Sequence, residues 1–294
     1  MSAPSFAPID HALPSAAQRT AFAQPLVAAA IERALTGTAG VAVETALETG
    51  STNSDLLVRA RLAAPAGPIV RTALVQTAGR GRHGRRWFAA PGAALLFSIA
   101  VPLARATTSK SSEGAVTLAC GVAVAESLRA LGVPAQLKWP NDVWLAERKL
   151  GGLLCELALD ASAHRTLVVG CGINLWLDPA ARASIGQPAA AAIECVPFER
   201  LLAQREAWIG TLASALLAAV HEYDRHGFLP FQPRFMRRFA LLGRDVEIVD
   251  QGVRGPAGRA LGVDADGRLL LQTTSGTIAV ASGEVSLRAA AAAR

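Results

Sequence analysis

Apolar side chains recur along this chain at two spacings. The helical one, with apolar positions three and four residues apart, predicts helices over 21–35, 113–131 and 198–226, stopped by Gly37, Gly132 and Gly227, and a short helix over 233–240. Ser51, Thr52 and Asn53 stand before Leu56, Leu57 and Val58 as a helix start. Short apolar and β-branched runs predict strands over 41–46, 69–76, 94–103, 135–139, 143–146, 150–159 and 167–177, with 143–146 and 150–159 forming a hairpin that turns at Glu147 and Arg148. The alanine-rich stretch 179–197 reads as loop, and residues 1–21, mixed from Pro, Ser and Ala, as a loose tail. From Gly243 the texture changes to four short runs, 245–249, 258–263, 269–272 and 278–281, with a hairpin turn at Asp266-Gly267. The expected division is a tail (1–21), a main domain (22–241) and a small β-barrel (242–294). Strands and helices of the main domain cluster without strict βαβ alternation, so the expected class is α+β: a mixed sheet with helices on one face.

At 51% hydrophobic residues a substantial core can form, and 18% charged residues is not a disordered composition. The net charge of +6 is unevenly spread: Arg80, Arg82, Arg85 and Arg86 fall within seven positions, interleaved with glycines. A basic stripe for a nucleic-acid duplex more often runs along a helix face. The four cysteines, Cys120, Cys155, Cys171 and Cys195, lack metal-ligand spacing and read as reduced thiols rather than as disulfides or a zinc site. His221 and His226 are five apart, not the H-E-x-x-H spacing, and read as a solvated helix end. No basic start followed by an apolar run opens the chain, and the longest uncharged stretch, 87–104, contains Pro91, Gly92 and Pro102. Neither a signal peptide nor a membrane helix is expected, and a cytoplasmic location follows.

Gly79-Arg80-Gly81-Arg82-His83-Gly84 fits the dinucleotide fingerprint, but 87–92 is a poor helix start and no acidic residue follows about twenty positions on. A Walker A loop is excluded because no Gly-Lys-Ser/Thr follows. What remains is a glycine loop with four guanidinium groups, suited to folding over an anion such as a phosphate or acyl phosphate.

At this point the chain resembles the biotin–protein ligase family, over about 41–288. The resemblance rests on six ordered motifs: Gly50-Ser51-Thr52-Asn53; Gln76 with Gly79 to Trp87; Lys138-Trp139-Pro140-Asn141-Asp142; Lys149-Leu150-Gly151-Gly152; Gly170-Cys171-Gly172-Ile173-Asn174; and Gly283-Glu284-Val285-Ser286-Leu287-Arg288. It implies a mixed α/β catalytic domain of the class II aminoacyl-tRNA synthetase and biotin synthetase type, followed by an SH3-like barrel. It also implies adenylation of biotin by ATP and transfer to a lysine of a biotin carboxyl carrier protein.

By that resemblance, Ser51, Thr52, Asn53, Gln76, Arg80, Gly81, Arg82, Lys138, Gly151 and Gly152 contact biotin, and Arg85, Trp87, Lys138 and Asn174 contact ATP. Lys138 and Arg82 are the catalytic pair. The residues also allow plainer readings. Thr52 with Asp55 resembles a capping box, Trp87 can anchor the loop, Asn174 can sit in a bulge, and Gln76 is a strand-edge amide. Lys138 alternates with Leu137 and Trp139, so it points away from the apolar face. Asp142, in a Pro-Asn-Asp turn, either orients Lys138, helps to hold Mg2+ or only shapes the turn. Two departures from the family stand out: His83, where several relatives carry another basic residue, and Gly151 where alanine is common, predicting a slightly looser pocket.

Mg2+ would accompany ATP, and no permanently bound cofactor is expected. Three competing readings are a DNA-binding repressor that also ligates biotin, a lipoate ligase, and a nucleic-acid-binding protein. About twenty residues before the first catalytic helix are too few for a winged helix, so no specific DNA partner is expected. The arginine-rich loop favours biotin over lipoate. The C-terminal module has no aromatic residue from Gly243 onward to stack on bases. Monomer and homodimer both stay open.

Overall fold

A computed structural model of the chain describes residues 13–37, 39–103, 111–250, 253–281 and 285–289. The elements, in chain order, are α1 (Ala16–Phe22), α2 (Ala28–Ala34), β1 (Ala42–Thr49), α3 (Thr52–Leu62), β2 (Ile69–Gln76), β3 (Ala94–Leu103), α4 (Ser111–Ala130), β4 (Gln136–Lys138), β5 (Asp142–Leu145), β6 (Arg148–Leu159), β7 (Arg165–Asn174), α5 (Pro179–Ser184), α6 (Phe198–His226), α7 (Gln232–Met236) and β8 (Asp245–Asp250). β9 (Val253–Val263), β10 (Leu269–Thr273), β11 (Gly276–Val280) and β12 (Val285–Ala289) complete the chain.

Seven strands form one sheet in the order β1-β2-β3-β7-β6-β5-β4. Only β1 and β2 run parallel; every other neighbouring pair is antiparallel. The mixed sheet is as expected, but its covering differs. Residues of β3, β6 and β7 such as Phe97, Leu153 and Val169 join the core formed with α4 and α6. The opposite face carries a separate cluster in which Leu56, Leu57 and Ala60 of α3 pack on Ile69, Ala100, Ala158 and Val168. Helices thus lie on both faces, because α3 presents its own apolar stripe. Burial of its two leucines is worth roughly 1.5–3 kcal/mol each. α3 covers only part of its face, and the site described below lies on the remainder.

The helix expected over 21–35 is two helices. Ser15 and Gln18 form a capping box that starts α1 early, inside the stretch expected to be loose, and Pro25 bars continuation between α1 and α2. Phe22 is fully buried and meets Phe198 edge to face at 4.7 Å. Arg205 of α6, also buried, donates to the carbonyls of Phe22, Gln24 and Pro25 at 2.6, 3.1 and 3.3 Å, so the break has its exposed acceptors satisfied. Residues 1–12 of the expected tail lie outside the described residues.

The hairpin between β5 and β6 turns one residue earlier than expected, at Ala146 and Glu147, which have φ of 48° and 60°. Two consecutive positive φ values suit the right-handed twist of the strands. The expected loop 179–197 contains α5, capped by Asp178 on the Ala181 amide at 2.6 Å, and a 3-10 turn at Ala192–Glu194. α6 ends at Gly227, with φ of 67°, as predicted. The four C-terminal runs are five strands, in an antiparallel sheet ordered β11-β10-β9-β8-β12. β12 covers Val285 to Arg288 of the last sequence motif, of which Gly283 and Glu284 fall outside the described residues.

The cysteines are free thiols. Cys120 and Cys171 are buried in the core, and burial pushes the Cys171 thiol well above its usual range, which keeps it protonated. Among the described residues no helix is long and apolar enough to cross a membrane.

Candidate active site

Gly50 and Ser51 turn the chain from β1 into α3. Ser51 is extended, with φ of −163° and ψ of 126°, and its hydroxyl accepts from the Ser54 amide at 3.4 Å. The cap is therefore Ser51, not Thr52. Asp55, the other half of the expected capping box, instead accepts from Thr49 Oγ1 at 2.7 Å and Arg71 Nε at 2.6 Å. That frees Thr52 to face the sheet. Its amide and hydroxyl both donate to Gln76 Oε1, at 2.8 and 3.1 Å, and the hydroxyl pairs with buried Ser98 at 2.8 Å. Gln76, at the end of β2, is thus fixed by its oxygen.

Asn53 is buried at 4% exposure and donates to Glu156 Oε2 at 2.6 Å. The same carboxylate oxygen accepts from Arg80 at 2.8 Å, so Glu156 ties the arginine loop to the start of α3. Asn53 Oδ1 is buried and has no partner among the described residues. It lies beside Gly170, where a Cβ would stand 2.9 Å from it. Removing Glu156 strands one buried amide and releases one guanidinium, and an unsatisfied buried amide costs about 1–3 kcal/mol. Glu156→Ala is accordingly expected to keep its circular dichroism spectrum but to be cut by trypsin within 80–86 at least about fivefold faster, the rate tracking the open population. Cleavage at the wild-type rate would refute the tie.

The loop is a tight hairpin. Trp87 N donates to Gly79 O at 2.8 Å and Gly81 N to Arg85 O at 2.7 Å, around a 3-10 turn at Arg82–Gly84 where His83 has φ of 57°. Arg82 is half-buried at the start of that turn; His83, Arg85 and Arg86 are exposed. Gly79 has to be glycine, because a Cβ there would sit 2.5 Å from Trp87 O. At the loop's end the Trp87 ring lies flat over Gly172 of β7, whose Cβ would come within 2.7 Å of it.

Two lysines flank Asp142, and one of them stands beside Trp87. Lys149 Nζ is 5.8 Å from the Trp87 ring centroid and 2.7 Å from Asp142 Oδ1. Lys138 Nζ is 3.8 Å from Asp142 Oδ2 and 5.1 Å from the Trp144 ring centroid. One carboxylate thus stands between two ammonium groups. All three side chains are 12–19% exposed, where Coulomb attraction for an incoming anion is stronger than in open water. Lys138 lies opposite buried Leu137 and Trp139, on the face that the alternation predicted. Asp142 serves Lys149 more closely than Lys138. Among the described residues no three His, Cys, Asp or Glu side chains converge on one point.

Residues 48–174 match the model of the Biotin/lipoate A/B protein ligase family, and 241–288 that of the Biotin protein ligase C terminal domain. A biotin–[acetyl-CoA-carboxylase] ligase of Mycobacterium tuberculosis is 34% identical over 247 residues, covering 81% of this chain and 86% of the relative. The chain belongs to the biotin protein ligase family. The bifunctional ligase/repressor BirA of Escherichia coli is 31% identical over 216 residues; the match covers 73% of this chain and 65% of that protein. A biotin protein ligase from Aquifex aeolicus solved with biotin and ATP superposes with a TM-score of 0.64 at 27% identity, covering 85% of this chain and 99% of that one.

Against the family pattern, one stretch of sheet face brings together Thr52, Asn53, Gln76, Arg80, Trp87, Lys138, Asp142 and Gly152. A Cβ on Gly152 would stand 3.6 Å from both Asp142 Oδ1 and Lys149 Cε. Gly151 does not loosen a pocket. A Cβ there would meet Gly172 O at 2.4 Å and Ile173 Cδ1 at 2.5 Å, so it marks close approach of β6 and β7. Asn174 spends its amide on Ala190 O at 3.0 Å, fastening 189–190 to the end of β7. Glu156, Lys149 and Ser98 belong to the site and were not singled out from the sequence. The signal for Glu156 was present, as a lone carboxylate in the apolar run of β6.

Proposed function

We propose that the chain activates biotin with ATP and passes it to a lysine of a biotin carboxyl carrier protein. The observation that carries this is the lysine pair around Asp142 on the same sheet face as a cluster of fixed hydroxyl and amide groups, Thr52, Gln76, Ser98 and Asn53. One end suits a ureido ring, the other a carboxylate meeting a phosphate. A biotin carboxylate oxygen attacks the α-phosphorus of ATP, pyrophosphate leaves, and biotinyl-5'-AMP forms. The acceptor amine then attacks the acyl carbon, expelling AMP and losing a proton. Lys138, with Arg82, offsets the charge that gathers on the α-phosphate. Ser51, Thr52, Asn53, Gln76, Arg80, Gly81, Arg82, Gly151 and Gly152 border biotin, and Arg85, Trp87 and Asn174 border the nucleotide. Mg2+ enters on the phosphates of ATP as part of the substrate.

The strands from Asp245 onward support an SH3-like module over 242–294, with the catalytic domain over 22–241. We further assign the chain to the cytoplasm, without a specific DNA partner. Biotin-dependent exchange of labelled pyrophosphate into ATP tests the reading. Exchange is expected with biotin and is expected to be at least about 100-fold weaker with lipoate, since a site built for the polar ring of one substrate rejects another that leaves its groups unpaired. No exchange with biotin, or equal exchange with lipoate, overturns it.

A further inference from the structure

The strand that carries Lys138 is three residues long and lies at the edge of the sheet. Only β5 pairs with it inside the sheet, and a strand so short is poorly fixed by one partner. Two further attachments hold it. On its outer side Leu137 N donates to Arg238 O at 2.8 Å and Ala240 N to Leu137 O at 2.9 Å, so the segment leading to the C-terminal sheet adds a short parallel pairing.

The second attachment is a side chain. The chain has five tryptophans, and four of them, Trp87, Trp144, Trp176 and Trp208, have buried indole nitrogens with no partner among the described residues. Trp139 differs. It is fully buried, and its Nε1 donates to Gly267 O at 3.1 Å. Gly267 closes the turn between β9 and β10. Its φ is 75°, and a Cβ on it would stand 3.0 Å from Leu118 and 3.1 Å from Ala115 of α4. The turn is rigid in itself: Asp264 accepts from the amides of Asp266 and Arg268 at 2.9 Å each and from Arg268 Nε at 2.7 Å. Nearby, Gln232 donates to Val263 O at 2.8 Å.

Packing alone does not require this hydrogen bond, since the other four indoles do without one. We propose that the β9–β10 turn positions Lys138 for adenylation, Gly267 and Trp139 being the positioning residues. Consecutive residues of a strand point to opposite faces, so a shift of Trp139 toward or away from Gly267 moves the Lys138 ammonium relative to the α-phosphate. The C-terminal sheet is in this way part of the adenylation machinery. The inference rests on the role proposed above for Lys138.

A double-mutant cycle tests it. Trp139→Phe removes the N–H and keeps a large ring; Asp264→Ala loosens the turn from its polar side and serves where the first variant folds poorly. In biotin-dependent pyrophosphate exchange, Trp139→Phe is expected to lower kcat about tenfold and Asp264→Ala about threefold, with KM for biotin held within about twofold, since small misplacement acts on the reacting geometry. In a Lys138→Gln background the same changes are expected to cost less than about twofold, because residues acting through one group are not additive. Equal losses in both backgrounds would reduce Trp139 to a core residue and overturn the proposal, as would an unchanged kcat in either folded variant. Acetylation of lysines, followed by mass spectrometry, separates this from failure of the functional reading. Faster labelling of Lys138 but not Lys149 in the variants is expected whether or not biotin is the substrate; unchanged labelling of Lys138 counts against the coupling.

Discussion

Lys138→Gln is expected to slow biotin-dependent pyrophosphate exchange by about 10²–10³, roughly 2.7–4 kcal/mol, the effect of removing one well-placed stabilising group. The reason lies in the local charge count. Asp142 pairs with Lys149 at 2.7 Å and stands 3.8 Å from the Lys138 ammonium, so one carboxylate faces two cations. Without Lys138 the site loses one of the two cations that face Asp142, the one placed to meet charge that gathers on the α-phosphate in the transition state. KM for biotin is expected to change by less than about threefold, because the groups fixed by Gln76 and Ser98 are untouched and the lost interaction is confined to the transition state. A loss below tenfold in kcat would mean that Lys149 or an arginine carries the charge instead.

Gly172→Val is expected to raise KM for ATP about 30- to 150-fold, equivalent to about 2–3 kcal/mol for displacing a large packed side chain. A Cβ at 172 would stand 2.7 Å from Trp87 Cε2 and 2.8 Å from Cζ2, so the ring has to leave its seat on β7. Trp87 also closes the base of the arginine loop through Gly79 O, and that closure goes with it. Tryptophan emission is expected to shift to the red as the indole meets water. A valine variant with ATP KM within threefold of wild type and unchanged emission would show that Trp87 has no such role.

Much of this was legible in the chain because local rules set it. β2, β3 and α6 run over the residues that the apolar patterns marked. The alternation at Leu137, Lys138 and Trp139 correctly placed the lysine on the open face. What was not legible depended on partners distant in sequence. Asn53 meets Glu156 across 103 residues, and nothing in either neighbourhood announces the other. The cap at Ser51 was misread for a smaller reason: Thr52 and Asp55 fit a capping box, but each found a stronger partner, Gln76 for one and Arg71 for the other. The break between α1 and α2 was announced by Pro25 and lost in a run of alanines. Gly151 looked like room for a ligand, whereas its missing side chain lets two backbones touch.

The outer border of β4 comes from residues 238–240, which are synthesised long after it. A chain leaves the ribosome N-terminus first, so the outward amide and carbonyl of Leu137 wait for residues 238–240, and the Trp139 indole waits for Gly267. The sheet's last border is laid once residues 238–240 have emerged, and the Trp139 hydrogen bond follows with the β9–β10 turn. A product truncated before Phe239 would display that bare border to other nascent strands, an invitation to aggregate. Cover for the bare edge therefore precedes the hydrogen bond to Trp139 in the order of synthesis.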